Sequence, residues 1–287
     1  EQEKANHHVT VMCRVLGVSA SGYWAWHRRT PSARARADDA LTETIRHIHD
    51  ASRGTYGAPR VHAELTDRGT RCGRKRVARL MRQHGLVGVH RRRYRSTTTR
   101  DPRARPAPDL VERDFHPPEP DRLWVADVTA LPTARGFLYL AVVLDAWSRL
   151  VVGWSMGAHV DTALADGALS MALAWRRPPR GLVHHSDQGS EYVGLAHGAT
   201  IAAAGIRPSM GSVGDSYDNA MAESFFASLE TELIDRRDWR DHAEARFDVF
   251  EWIVAFYNPV RRHSALGYLS PQAYEERHRP SSAEVTA

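Results

Sequence analysis

Residues 181–192 read GLVHHSDQGSEY, and residues 218–236 read DNAMAESFFASLETELIDR. In the first, Leu182 and Val183 are a short apolar run that ends in a polar loop, the pattern of a buried strand carrying Asp187 at its C-terminal tip. In the second, Met221, Ala222, Phe225, Phe226, Leu229, Leu233 and Ile234 recur at steps of three and four, so this is an amphipathic helix with Asp218 as its cap. Glu223 falls in its first turns, beside the apolar stripe. Earlier, Asp127 interrupts the strand-like run LWVADVTAL, residues 123–131.

A lone acid inside a strand pattern needs a reason, because an unpaired carboxylate is costly to bury. Two carboxylates about 4 Å apart repel by roughly 4 kcal/mol at an effective dielectric near 20. Three that converge are tolerable mainly around a divalent cation, and oxygen-only ligands favour Mg²⁺ or Mn²⁺ over zinc. The expected product is a two-metal site of Asp127, Asp187 and Glu223, suited to in-line displacement at phosphorus.

Between Asp187 and Glu223 lie 35 residues. The order Asp127, Asp187, Glu223 at that spacing resembles the D,D(35)E signature of retroviral-integrase-like transposases. With HHSDQGSEY, DNAMAESFF and YNPVRRHSALGYLSPQAY (residues 257–274), the chain is similar to the OrfB product of the IS-three family of bacterial insertion sequences. The resemblance implies an enzyme that cuts one DNA strand at the end of a mobile element and then joins the freed 3′-hydroxyl to DNA, with two ions per site: Asp127 and Asp187 on the first, Asp127 and Glu223 on the second. It implies DNA as partner (terminal inverted repeats and target), a homo-oligomer on that DNA, and an OrfA protein or fused OrfA segment. The resemblance places a Lys seven residues after the catalytic Glu; this chain has Glu230 there. Two alternatives stay open, an inert DNA-binding regulator derived from a transposase and a ribonuclease-H-like nuclease.

Other acids and histidines compete for the site. Asp145 reads as a strand end pairing with Arg149, or as a rival catalytic acid. Asp215 and Asp218 flank the loop GSVGDSYDN (residues 211–219), which they shape and cap. Glu191 lies one turn past Asp187 as a supporting residue. His184 and His185 read as structural strand-end histidines, with His185 also able to orient the site or touch DNA.

The net charge of +5 over 287 residues hides an asymmetry. Residues 1–120 carry 24 Lys and Arg against 13 Asp and Glu, whereas residues 121–287 carry 15 against 21. A basic front and a mildly acidic back suggest a nucleic-acid grip joined to a metal-binding body. No run approaches the roughly 18 apolar residues of a membrane span. A secretory leader pattern is absent at the start, so a cytoplasmic protein is expected, nucleoid-associated when on DNA. The lack of an initiator Met suggests a fragment or a processed chain. Cys13 and Cys72 read as buried thiols in a reducing compartment.

In chain order, residues 1–35 form a helical hairpin with a break at Gly17 and Ser19 or Ser21 capping its second helix. Residues 31–40 (PSARARADDA) read as a linker. Residues 36–89 read as a helix-turn-helix DNA-binding domain, its last helix ending at Gly85. Val77, Leu80 and Met81 face inward there, and Arg74, Lys75, Arg76, Arg79 and Arg82 cover the outer face. A basic Pro/Thr-rich linker, 90–119, adds Arg91, Arg92 and Arg93 for phosphate neutralisation. Residues 120–275 read as a ribonuclease-H-like, integrase-type mixed-sheet α/β core with a C-terminal helical extension, and 276–287 as a tail. Asn219, Asn258, Arg261, Arg262 and His263 complete the expected DNA contacts.

Overall fold

The computed structural model describes residues 7–90, 107–111, 114–211 and 220–279. Helices α1 (Val9–Val15) and α2 (Ala20–His27) form the expected hairpin, and the Ser19 hydroxyl accepts from Gly22 N–H as the cap of α2. The linker expected at 31–40 is helical instead: α3 runs Ala33–Ala51, capped by Ser32. ARARADDA lacks an apolar stripe but consists mostly of strong helix formers, and propensity outweighs the missing pattern. Then follow α4 (Ala58–Asp67), with Pro59 in its first turn, and the basic α5 (Arg74–Gln83).

The C-terminal half is built on a five-stranded sheet: β1 (Leu123–Thr133), β2 (Gly136–Asp145), β3 (Val151–Gly157), β4 (Val183–Ser186) and β5 (Arg207–Met210). Their spatial order is β3-β2-β1-β4-β5. The first three are antiparallel, and β4 runs parallel to both β1 and β5. Helix α6 (Thr162–Arg176) and α7 (Leu195–Ala203) cover one face with Trp124, Ala126, Val143 and Val152. At Gly153 the α6 backbone comes so close that a Cβ would sit 2.2 Å from the Ala168 carbonyl oxygen. The other face carries α8 (Ala220–Glu232) and α9 (His242–Glu251), which continues as a π-helical stretch, Trp252–Tyr257; α10 (Pro271–His278) follows.

The N-terminal helices are not a separate body. Ile45, Val61, Leu65, Val77 and Leu80 belong to the same buried cluster as Val125, Val142, Phe225, Leu229 and Trp252. Across this contact Arg262 pairs with Glu64 and Asp67, Arg60 with Glu232, and Arg53 with Glu251. Tyr56 adds a hydroxyl that donates to Val260 O at 3.1 Å and accepts from Arg262 N–H at 2.8 Å. The helical region and the sheet are thus joined by packing as well as by a line of ion pairs.

Candidate active site

Side-chain alternation on β1 sends Leu123 and Val125 into the cluster under α8, and Asp127 follows in the same parity. Val125 is paired with His185 in the parallel register of β1 and β4, so two residues further on Asp187 is level with Asp127 on the same face. Glu223 stands in the first turn of α8, next to buried Met221 and Ala222, which press that helix onto the sheet. Asp187 and Glu223, distant in sequence, come within electrostatic reach of Asp127 because one sits at the tip of the parallel neighbour and one on the covering helix.

Their electrostatics bear the mark of crowding. Burial, first, and then Asp187, Glu191 and Glu223 hold the Asp127 carboxyl well above the usual carboxylate range. Burial likewise raises Asp187, and burial together with Asp187 raises Glu191. Some relief comes from hydrogen bonds: Asp127 Oδ1 accepts from Val128 N–H at 2.8 Å, and Asp187 Oδ1 from Gly189 N–H at 3.0 Å. Among the described residues no Lys or Arg pairs with any of these four acids. An all-oxygen, like-charged donor set without a counter-cation fits a hard divalent ion such as Mg²⁺ or Mn²⁺. Among the described residues the acids are not drawn into a closed three-ligand cage, so an ion here would have to pull them together.

Glu191 is a larger participant than its place in the sequence suggests. The chain between Asp187 and Leu195 is loop rather than helix, and this turns Glu191 inward to 8% exposure. The Glu191 carboxyl lies close over Gly189, where an added Cβ would come within 2.6 Å of it and push that side chain aside. Sequence reasoning missed Tyr192, whose buried phenol has no hydrogen-bond partner among the described residues and lies close enough to Asp127, Asp187 and Glu191 to feel their charge. Its ring packs with His184 and His197, and His197 Nδ1 is 2.6 Å from Asp166 on α6. No local pattern marks that cluster, because its members come from β4, its loop, α7 and α6.

His184 and His185 are both buried at the end of β4, and His185 exerts a lowering pull on the Asp187 carboxyl. His184 is buried and pushed down to about 3, so it is neutral. His185 Nδ1 is 2.9 Å from Ser209 Oγ, and its ring meets the edge of Phe115. Asp145 is neither an ion-pair partner of Arg149 nor a rival acid. It is wholly buried and accepts from the backbone of Asp121 and Ser148, three ladder positions from the Asp127 pair, and burial raises it to about 6.

The expected DNA contacts divide. Arg74 and Lys75 are exposed on α5, but Arg76 and Arg79 both fold back onto Asp38 of α3, at 2.6 and 2.7 Å. The C-terminal group is turned inward, which corrects the expectation of phosphate-facing donors. Asn258 brackets Val151, donating to its carbonyl and accepting from its N–H, both at 3.0 Å. Arg261 is 4% exposed and grips both oxygens of Glu232 at 2.7 Å. Arg262 is spent on Glu64, Asp67 and the Tyr268 carbonyl, and His263 is buried against the Tyr257 ring. Arg91, Arg92, Arg93, Asp215, Asp218 and Asn219 lie outside the described residues.

Residues 36–94 match a family described as an HTH-like domain, and residues 117–216 and 204–271 each match an integrase core domain. The chain is 40% identical over 271 residues to the transposase for insertion sequence element IS629 of Shigella sonnei, covering 92% of this chain and 90% of that protein. It is 38% identical over 279 residues to the transposase InsF for insertion sequence IS3A of Escherichia coli (strain K12), covering 96% of this chain and 97% of that one. Among solved structures, it is similar to the HTLV-2 integrase catalytic core domain in complex with magnesium, with a TM-score of 0.43 and 16% identity over 55% of this chain and 98% of that chain.

Proposed function

The chain belongs to the IS-three family of insertion-sequence transposases, and from that premise we propose that Asp127, Asp187 and Glu223 are its catalytic acids, with Glu191 beside them, in a site that cleaves and joins DNA strands at the ends of a mobile element. The observation that carries this reading is the crowding of Asp187, Glu191 and Glu223 around Asp127, with no Lys or Arg paired to them among the described residues. Each of the other acids acts on Asp127, which makes it the shared ligand if two Mg²⁺ or Mn²⁺ ions are held. Bound there, such ions supply activation of an attacking oxygen and stabilisation of a leaving oxygen at phosphorus.

The protein's own residues prepare that site. Backbone N–H groups of Val128 and Gly189 orient the Asp127 and Asp187 carboxylates before any ligand arrives. Burial keeps water from screening them, so a cation competes with protons for the same oxygens. Gln188 donates to the Gly211 carbonyl at 2.8 Å and ties the Asp187 loop to the end of β5. On the helical side, the exposed Arg74 and Lys75 offer the first phosphate contacts of α5, in keeping with DNA as partner. A DNA-bound homo-oligomer and an OrfA partner belong to the same reading. Among the described residues no helix is long and apolar enough to cross a membrane.

The test is labelled element-end DNA incubated with the full chain and Mg²⁺. Joined products that vanish with Asp187→Asn are expected. Hydrolysis without joining would make the protein a nuclease, and a DNA effect indifferent to Asp187→Asn would make it a regulator.

A further inference from the structure

A cleft of about 190 Å³ opens beside α8, between that helix, the turn from β2 to β3 and the segment 261–265, with Arg60 of α4 reaching in. Its polar wall is three arginines and three serines: Arg60, Arg149, Arg261, Ser224, Ser228 and Ser264. One carboxylate, Glu232, pairs with both Arg60 and Arg261. Arg149 forms no ion pair among the described residues, which leaves positive charge in a concave site without a partner. The surplus is felt by His263 in the same wall, which burial and then Arg261, Arg60 and Arg149 keep from protonating.

Arg149 is presented deliberately by the backbone. Its φ of 61° is left-handed, a conformation that non-glycine residues rarely adopt. The turn is held from both sides, by Arg149 N–H donating to Asp145 O at 2.8 Å and by the Tyr257 hydroxyl donating to Arg149 O at 3.2 Å. The cleft also has a defined place relative to the acids. Ser224 follows Glu223 on α8, and Leu144 in the cleft wall is two residues along β2 from Val142, the ladder partner of Asp127. Two strand residues span about 7 Å, a step comparable to that between neighbouring backbone phosphates. A fixed guanidinium with hydroxyl donors suits a tetrahedral oxyanion.

We propose that this cleft receives a backbone phosphodiester of the DNA strand lying against the acids, gripped by Arg149 together with Ser224 and Ser264. The proposal rests on the transposition reading and names the strand contact next to its site. It is tested with the full chain and element-end DNA in which single phosphates are replaced by uncharged methylphosphonates, binding being measured without divalent metal. Arg149→Gln weakens binding about tenfold. One methylphosphonate position weakens the wild type to the same degree, and at that position the variant shows no further loss. Ser264→Ala, exposed and remote from the core, reproduces the same positional coupling at smaller size and guards against misfolding of the Arg149 variant. Losses that add at every position overturn the proposal. So does unchanged DNA binding by Arg149→Gln with impaired binding of inorganic phosphate, which would assign the cleft to a free anion. A wild-type chain that binds DNA with this coupling yet joins no ends sinks the transposition reading alone, because the cycle reads binding only.

Discussion

Two clusters of buried charge lie on the same face of this molecule and are built on opposite plans. Around Asp127 the carboxylates crowd one another, Asp127 and Glu191 raised by burial and by neighbouring acids and Asp187 by burial, and among the described residues no Lys or Arg pairs with them. Around Glu232 every carboxylate oxygen is matched: Arg261 takes both, Arg60 shares one, and nearby Arg262 bridges Glu64 and Asp67. The matched cluster joins the helical region to the sheet, whereas the unmatched one weakens the fold and is tolerated for what it binds. Charge balance, more than charge or burial, separates a functional site from a structural one in this chain.

The strongest way to break that contrast is to neutralise the centre of the unmatched cluster. Asp127→Asn should cut DNA joining on the order of 10³-fold or more while the protein melts at or above the wild-type temperature, because one like charge is gone. A large fall in both activity and melting temperature would show that Asp127 is a structural acid. Glu232→Gln is the opposite experiment. Removing one partner of a buried pair leaves Arg261 without its counter-charge, and a loss of about 3 kcal/mol or more is expected in denaturant unfolding. A neutral outcome there would mean that the helical region is held by its apolar contact alone. Glu191→Gln sharpens the boundary of the acidic cluster. Activity should fall by about 10- to 100-fold, as for residues that support metal ligands, with little change in stability.

The same contrast explains what the sequence could show. Asp127, Asp187 and Glu223 announce themselves because each breaks a local pattern, an acid in a strand, at a strand tip or on an apolar helix. The sheet is legible for the same reason, although β4 runs on through 183–186 past the apolar pair Leu182 and Val183, since His184 and His185 are buried without being apolar in type. Arg261, Arg262 and His263 pass for DNA contacts in the sequence because an exposed arginine and a paired one look alike there. Their partners Glu232 and Glu64 stand 29 and 198 residues away. The shared core of the helical region and the sheet was likewise out of reach, as it depends on which faces meet rather than on any periodicity.

The smallest expected effect concerns the buried histidines, one beside each cluster. His184 is held neutral at about 3 by burial and then by His197 and His185, and His263 is held well below its ordinary value by burial and three arginines. Since both are depressed in the fold, the stability they contribute is present above the unfolded value near 6.5 and is lost as the pH falls towards the folded one. Each should then cost about 1.4 kcal/mol between neutral pH and pH 5.5, where the unfolded chain takes up the proton and the folded chain does not. For His184, whose Nε2 has no partner among the described residues, Phe at that position keeps the ring packing with Tyr192 and His197. His184→Phe should therefore flatten the stability profile by about that amount over the same pH range. Profiles that stay parallel would mean that the ring is reached by solvent and protonated in the fold, and that the wall beneath the acids is wetter than its burial implies.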